Sequence, residues 1–284
     1  MAAEKPLLMP PRASALAEFS VPFPVIGVVH LPPLPGAPAY AGMPMREICA
    51  AAVRDARALA DGGIDGIMIE NASDHPFLRP DDIGPETVSG MTAACLAVRE
   101  AVEQPLGITC VANGAIPAFA VAKATGARWI RANQWANGYV ANEGILSNDA
   151  ARALRYRKAI DAHDVGVFAD VHVKFGAHAI TMDRSTTEQA GDAEWHMADV
   201  LIATGTRTGS PTDPSEVEQV RAGTSLPVFV GSGFAVGNAE ALVAAADGAI
   251  VGQSLKQDGR WWEPVDVHRV ATLMAAVRTL RQAA

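Results

Sequence analysis

The segment FADVHVK at residues 168–174 puts Asp170, His172 and Lys174 at every second position. Residues two apart in a strand share a face. An acid, an imidazole and an amine would therefore line one side, while Val171 and Val173 pack under helices on the other. The same parity sets Glu70 with Met68 in GGIDGIMIE (62–70), Arg131 with Asn133 in TGARWIRAN (125–133), and Asn113 with Val111 in PLGITCVAN (105–113). His30 ends PVIGVVH (24–30). Acids, bases and amides converging from several strands are what general acid–base chemistry uses. On this reading Glu70 and Asp170 form the proton-transfer pair and His172 tunes or shares that role. Lys174 and Arg131 neutralise developing negative charge, and His30, Asn71, Asn113 and Asn133 contact the substrate. Thr204 and Gly205 open TGTRTG (204–209), whose N–H and hydroxyl donors, with Arg207, would help hold an anion or simply form a flexible loop. Two other readings stay open: an interior Arg131–Asp170 brace, and a Schiff base at Lys174 if its pKa is lowered. Glu70, Asp170, His172 and His30 are also metal-ligand types. They lack a compact motif such as HExxH, and Lys174 and Arg131 would repel a cation, so neither metal nor cofactor is predicted.

A second constellation lies at residues 227–256, PVFVGSGFAVGNAEALVAAADGAIVGQSLK. Two short apolar runs stop at glycine-bearing turns: Gly231, Ser232 and Gly233, then Gly252, Gln253 and Ser254. Glycines let backbone N–H groups approach an anion closely. The loops after strands seven and eight of a (β/α)8 barrel are a frequent phosphate site. The competing reading is two tight strand-to-helix turns with no ligand.

The elements that would position these groups alternate along the chain. One class of strand follows a small-residue turn, at 62–70, 125–133, 197–205 and 246–254; the other, mostly opening with proline, lies at 24–30, 105–113, 165–174 and 227–233. Helix-like segments separate them near 45–61, 87–102, 115–125, 148–162, 186–196, 214–222 and 236–245, and one more follows at 265–282. Eight strands alternating with eight helices predict an α/β protein with a (β/α)8 barrel over 23–284, a single domain after a leader at 1–22. A doubly wound open sheet is the rival, but it would break the alternation. Long loops at 31–44, 71–86, 134–147 and 205–213 all fall on the C-terminal face, which favours an enzyme or ligand binder.

Composition agrees with a globular chain: 49% hydrophobic and 19% charged residues over 284 positions. A net charge of −8 argues against a general nucleic-acid binder and leaves room for a local basic pocket. No run nears the roughly 18 apolar residues of a membrane span, and no signal peptide is read, so a cytoplasmic protein is expected. Cys49, Cys95 and Cys110 read as buried free thiols. Trp129, Trp135 and Trp195 read as packing residues or loop anchors, and Trp261 with Trp262 as a cover for the mouth or an oligomer interface. His75, His163, His178, His196 and His268 read as surface or packing residues. A homo-oligomer remains open.

Several stretches together carry a resemblance. VIGVVHLPPLPGAP (25–38), GGIDGIMIENASDHPF (62–77), IRAN in the fourth strand, GILSNDAARALRYR (144–157), FADVHVK (168–174), VFVGSGF and DGAIVGQSLKQDG resemble the BtpA/SgcQ family from residue 24 to about 281. Phe175-Gly176 is a local departure, at a position where the resemblance implies His-Ala in many members. The resemblance implies a TIM barrel of the ribulose-phosphate-binding type. It also implies links either to photosystem I biogenesis or to sugar or nucleoside metabolism. The expected partner is an anionic small molecule, and the expected reaction an isomerisation, a lyase reaction or cleavage of a glycosidic bond. The alternative is a non-catalytic assembly factor peripheral to a membrane.

Overall fold

The computed structural model describes residue 10 and residues 14–205 and 212–283; residues 206–209 of the Thr/Gly loop lie outside it. Eight parallel strands close one barrel: β1 (Val25–His30), β2 (Gly66–Glu70), β3 (Leu106–Thr109), β4 (Trp129–Ala132), and then, past a hairpin of β5 (Gly138–Ala141) and β6 (Gly144–Ser147), β7 (Gly166–Val171), β8 (Val200–Ala203), β9 (Val228–Val230) and β10 (Gly248–Val251), which pairs back with β1. The intervening helices are α1 (Met45–Asp61), α2 (Pro85–Ala101), α3 (Ala115–Thr125), α4 (Ala150–Ala159), α5 (Thr186–Trp195), α6 (Pro214–Ala222) and α7 (Ala239–Ala245); α8 (Val267–Ala283) follows β10. The predicted alternation holds, with strand ends trimmed by a few residues.

Burial on both faces explains why these strands are apolar throughout. Outward residues meet the helices: Ile48, Ala52, Ala56 and Leu59 of α1 recur at helical spacing and are all buried. Inward residues fill the barrel with Ile26, Val28, Met68, Trp129, Phe168, Ile202, Phe229 and Ile250. Trp129 stacks on Phe168 with ring centroids 5.5 Å apart, and Gly107 makes room for it. A Cβ at 107 would stand 2.0 Å from Trp129 Nε1. Gly107→Ala should therefore destabilise the barrel by roughly 1–3 kcal/mol, the scale of overpacking. A urea midpoint unchanged from the parent would show that the indole can move aside.

The other end of the barrel is closed by the chain before β1. A single 3-10 turn at Ala15–Glu18 sits under the barrel; Phe19 lies 5.6 Å from Trp129, and Glu18 pairs with Arg128 at 2.6 Å. Asp65, Asp199 and Asp247, each just ahead of a strand, accept the N–H of Val25, Val167 and Val228, all at 2.8 Å. These bonds satisfy N–H groups at the start of alternate strands.

Four expectations change at the mouth. β3 stops at Thr109, so Asn113 belongs to the turn beyond it, with φ +57°. β7 stops pairing with β8 at Val171, and His172 takes φ +56°, which ends the two-residue alternation. Residues 134–147 are not a plain loop: β5 and β6 form an antiparallel hairpin, and Val140 bridges to Ala177. Val173 packs not under a helix but with Ala112, Tyr139 and Leu146 beneath that hairpin.

Candidate active site

Each barrel strand brings one inward position to the mouth, at or just beyond its end: His30, Glu70, Thr109, Arg131, Asp170, Thr204, Gly231 and Gly252. Each is two residues on from an inward position below it, so strand parity sets the ring. Registers His30↔Glu70, Glu70↔Thr109 and Thr109↔Arg131 place the first four side by side.

Asp170 and Arg131 form the centre of one half. The Asp170 side chain is fully buried. Its Oδ1 accepts from Arg131 Nε at 3.2 Å and Nη2 at 3.0 Å, and its Oδ2 accepts from Nη2 at 3.2 Å and from Asn133 Nδ2 at 2.9 Å. Both oxygens are engaged, so Asp170 is placed to hold two donors in position rather than to accept a proton. Asn133 Oδ1 in turn receives the Asn113 N–H at 3.4 Å. Asn113 Oδ1 accepts the Gln134 N–H at 2.8 Å, while its Nδ2, although buried, has no partner.

The other half carries the groups free to react. Glu70 is half-buried, and no hydrogen bond engages its carboxylate among the described residues. Lys174 feels the charges of Arg131, Glu70 and Asp170; burial first, and then Arg131, bring its amine down to about 8, against the pull of the two carboxylates. His30 Nδ1 lies 2.8 Å from the Trp261 carbonyl oxygen. A carbonyl only accepts, so Nδ1 carries the proton and Nε2 the lone pair. Burial, helped by the Lys256 charge, holds this imidazole below its ordinary pKa.

Sequence reasoning missed one pair. Lys256 is buried at 1% exposure and donates to Asp55 Oδ2 at 2.9 Å. Burial lowers its pKa, and Asp55 opposes that shift. A signal existed: Asp55 interrupts the apolar stripe of α1, and Lys256 ends the GQSLK run.

Other expected contacts are engaged elsewhere. Asn71 Oδ1 accepts the Val111 N–H at 2.8 Å, and its Nδ2 donates to Asp74 at 2.9 Å, joining the loops after β2 and β3. Thr204 Oγ1 accepts the Lys174 N–H at 3.0 Å, and the Gly205 N–H donates to Glu216 Oε1 at 3.2 Å. The Gly231 N–H is committed to Ala203 O at 2.7 Å and is not available to an anion. A Cβ at 231 would lie 3.2 Å from Arg131 Nη2, and one at 252 would lie 3.2 Å from His30 Cε1, so both glycines bring backbone close to these side chains. Ser254 Oγ donates to Phe234 O at 2.8 Å and Thr212 Oγ1 to Ser232 O at 2.9 Å, which ties the turns 231–233 and 252–254 to their surroundings.

His172 does not join the ring. It is exposed and stacks on His178, 3.8 Å between centroids, and His178 in turn stacks on Tyr139 of the hairpin at 5.5 Å. The face of the ring covered by the stack is desolvated, and this, with the neighbouring His178 charge, lowers the His172 pKa. His178 is thus part of a ring stack at the rim, and Phe175, in the departing dipeptide, is exposed with φ +64°. Among the described residues no group of three or more His, Cys, Asp or Glu is arranged to hold a metal. No helix there is long and apolar enough to cross a membrane.

Residues 22–279 match the BtpA family. An uncharacterised protein of Archaeoglobus fulgidus is 37% identical over 89% of this chain and 98% of its own length. The photosystem I biogenesis protein BtpA of Synechocystis sp. is 37% identical over 89% of this chain and 88% of its own length. An uncharacterised mitochondrial protein of Caenorhabditis elegans is 36% identical over 91% and 94%. Among solved structures, (S)-3-O-geranylgeranylglyceryl phosphate synthase from Thermoplasma acidophilum, in complex with sn-glycerol-1-phosphate, superposes with TM-score 0.59 at 15% identity, covering 93% of this chain and 97% of that one. A tryptophan synthase chain from M. tuberculosis gives 0.56 at 19% identity, covering 90% and 94%. Identities this low establish the barrel fold alone.

Proposed function

The chain belongs to the BtpA family, and on that footing we propose that it is an enzyme acting on a phosphorylated sugar or nucleoside-like molecule by acid–base chemistry at the barrel mouth. The observation that carries this reading is the division of labour between two carboxylates. Asp170 is held by Arg131 and Asn133, whereas Glu70 is unengaged and shares its surroundings with Lys174. An unpaired carboxylate in a site of mixed charge suits a general acid or base, with the Lys174 ammonium as the neighbouring cation. Asn113 and Asn133 orient the substrate; Arg131 and Lys174 stabilise negative charge as it develops. The anionic end lies against the backbone of Ser232 and Gly233 and of Gly252, Gln253 and Ser254, where β9 and β10 end, in keeping with phosphate sites of other barrels. Isomerisation, lyase chemistry and glycosidic cleavage are the reactions this reading encompasses.

The assembly-factor reading has one specific support, the name of the Synechocystis relative. Relatives of equal similarity in an archaeon and a nematode favour a role independent of photosynthesis. The test is a panel of phosphosugars and nucleoside phosphates, followed by tryptophan fluorescence and turnover. We expect saturable binding of at least one phosphorylated compound, weakened by Lys174→Met. Absence of binding and turnover across the panel would favour the assembly factor.

A further inference from the structure

A cavity of about 500 Å³ opens beside the ring, between α1 and the loops after β1, β2 and β10. That volume falls within the range of small-molecule sites. Its walls are rings: His30, His75, Trp261 and Trp262 all line it. Trp261 is the hub, with His30 at 5.9 Å, His75 at 5.8 Å and Trp262 at 5.7 Å between centroids, each near edge-on. Trp262 remains 62% exposed, a large apolar ring at the rim with little to cover it. Such a wall suits a flat, apolar-faced ligand.

Donors and acceptors both line the cavity: Arg54 and Ser73 beside Asp55, Glu263 and His30. His30 Nε2 carries a lone pair, because Nδ1–H is directed at the Trp261 carbonyl. Asp55 lines the same cavity at 5% exposure, with Lys256 donating to Oδ2 at 2.9 Å and Arg54 Nη2 standing 3.5 Å from Oδ1. The His30 lone pair, on a ring that lines a pocket walled by other rings, is matched by a flat ligand that brings an N–H group of its own. His30 also connects the two spaces, since its ring lines the cavity while the charges of Glu70 and Lys174 act on it from the mouth.

We propose that this cavity is a second compartment of the substrate site, and that it takes a planar heteroaromatic ring bearing N–H donors, such as an amino-substituted purine, attached to the phosphosugar-like part in the mouth. The inference rests on the reading of the mouth given above and narrows it to nucleotide-like molecules.

Calorimetric titration with three probes separates the two ideas: adenosine for the cavity, ribose 5-phosphate for the mouth, and adenosine 5′-monophosphate for both. The monophosphate should bind more tightly than either part. Trp262→Ala removes an exposed ring and leaves the core untouched. It should weaken adenosine and the monophosphate roughly tenfold, the scale of a lost stacking partner, and leave ribose 5-phosphate unchanged. Lys174→Met should weaken the two phosphates and spare adenosine. The proposal is overturned if adenosine does not bind, if Trp262→Ala leaves its affinity unchanged, or if the monophosphate binds no better than its parts. Binding of adenosine without ribose 5-phosphate would instead remove the phosphosugar reading of the mouth and leave the ring pocket standing.

Discussion

Asp170→Asn is expected to lower the stability of this barrel by about 3–5 kcal/mol, the usual result of stripping one partner from a buried ion pair. The Arg131 side chain is 5% exposed and Asp170 is not exposed at all. An amide keeps the shape and one acceptor oxygen, but it leaves the guanidinium charge uncompensated in the barrel and presents an NH₂ group where the carboxylate accepted from Arg131 or Asn133. Glu70→Gln supplies the contrast. Glu70 is half-buried with no hydrogen-bond partner among the described residues, so its neutralisation should change stability by no more than about 1 kcal/mol. Urea unfolding of the two variants side by side decides the matter. Equal midpoints would mean that Asp170 is not the brace its geometry indicates, and the proton-transfer role first read for it would return.

The opposite ranking is expected for catalysis. With a substrate in hand, Glu70→Gln should lower kcat by roughly 10²–10⁴-fold, the range for loss of a general acid or base, while KM changes little. Lys174 gives the reaction its pH dependence. Its amine, lowered to about 8, is mostly ammonium at neutral pH and loses its charge as pH rises through that value. If the ammonium stabilises negative charge, kcat/KM should fall above pH 8. Lys174→Arg, which stays charged, should remove that limb. Glu70→Gln takes away a charge that holds the lysine pKa up, so it should move the remaining limb downward. A rate that climbs through pH 8 and vanishes in Lys174→Arg would show instead that the neutral amine is the working form, as Schiff-base chemistry requires.

The sequence by itself determined the barrel and the strand faces of its mouth. Alternation of short apolar runs with amphipathic segments survives in any environment, because a strand buried on both faces must be apolar and a covering helix must have one apolar stripe. Parity then carries Glu70, Arg131 and Asp170 inward, since each lies within a paired strand where side chains alternate strictly. Where pairing stops, parity stops. His172 and Asn113 lie one and four residues past the last paired positions, Val171 and Thr109. Both have positive φ, and their directions are set by the hairpin and neighbouring loops that pack on them. The same limit explains Asn71, Thr204 and Gly205, whose polar groups are taken up by Val111, Asp74, Lys174 and Glu216. Nothing in local sequence states which of several nearby donors and acceptors will meet. Lys256 and Asp55 lie 201 positions apart in the chain; each looks unremarkable among its own neighbours, and only closure of the barrel, bringing β10 against β1, makes them a pair. Tertiary structure alone decided which charges at the mouth are paired and which are left free, because pairing depends on distances across the barrel that no stretch of chain encodes alone.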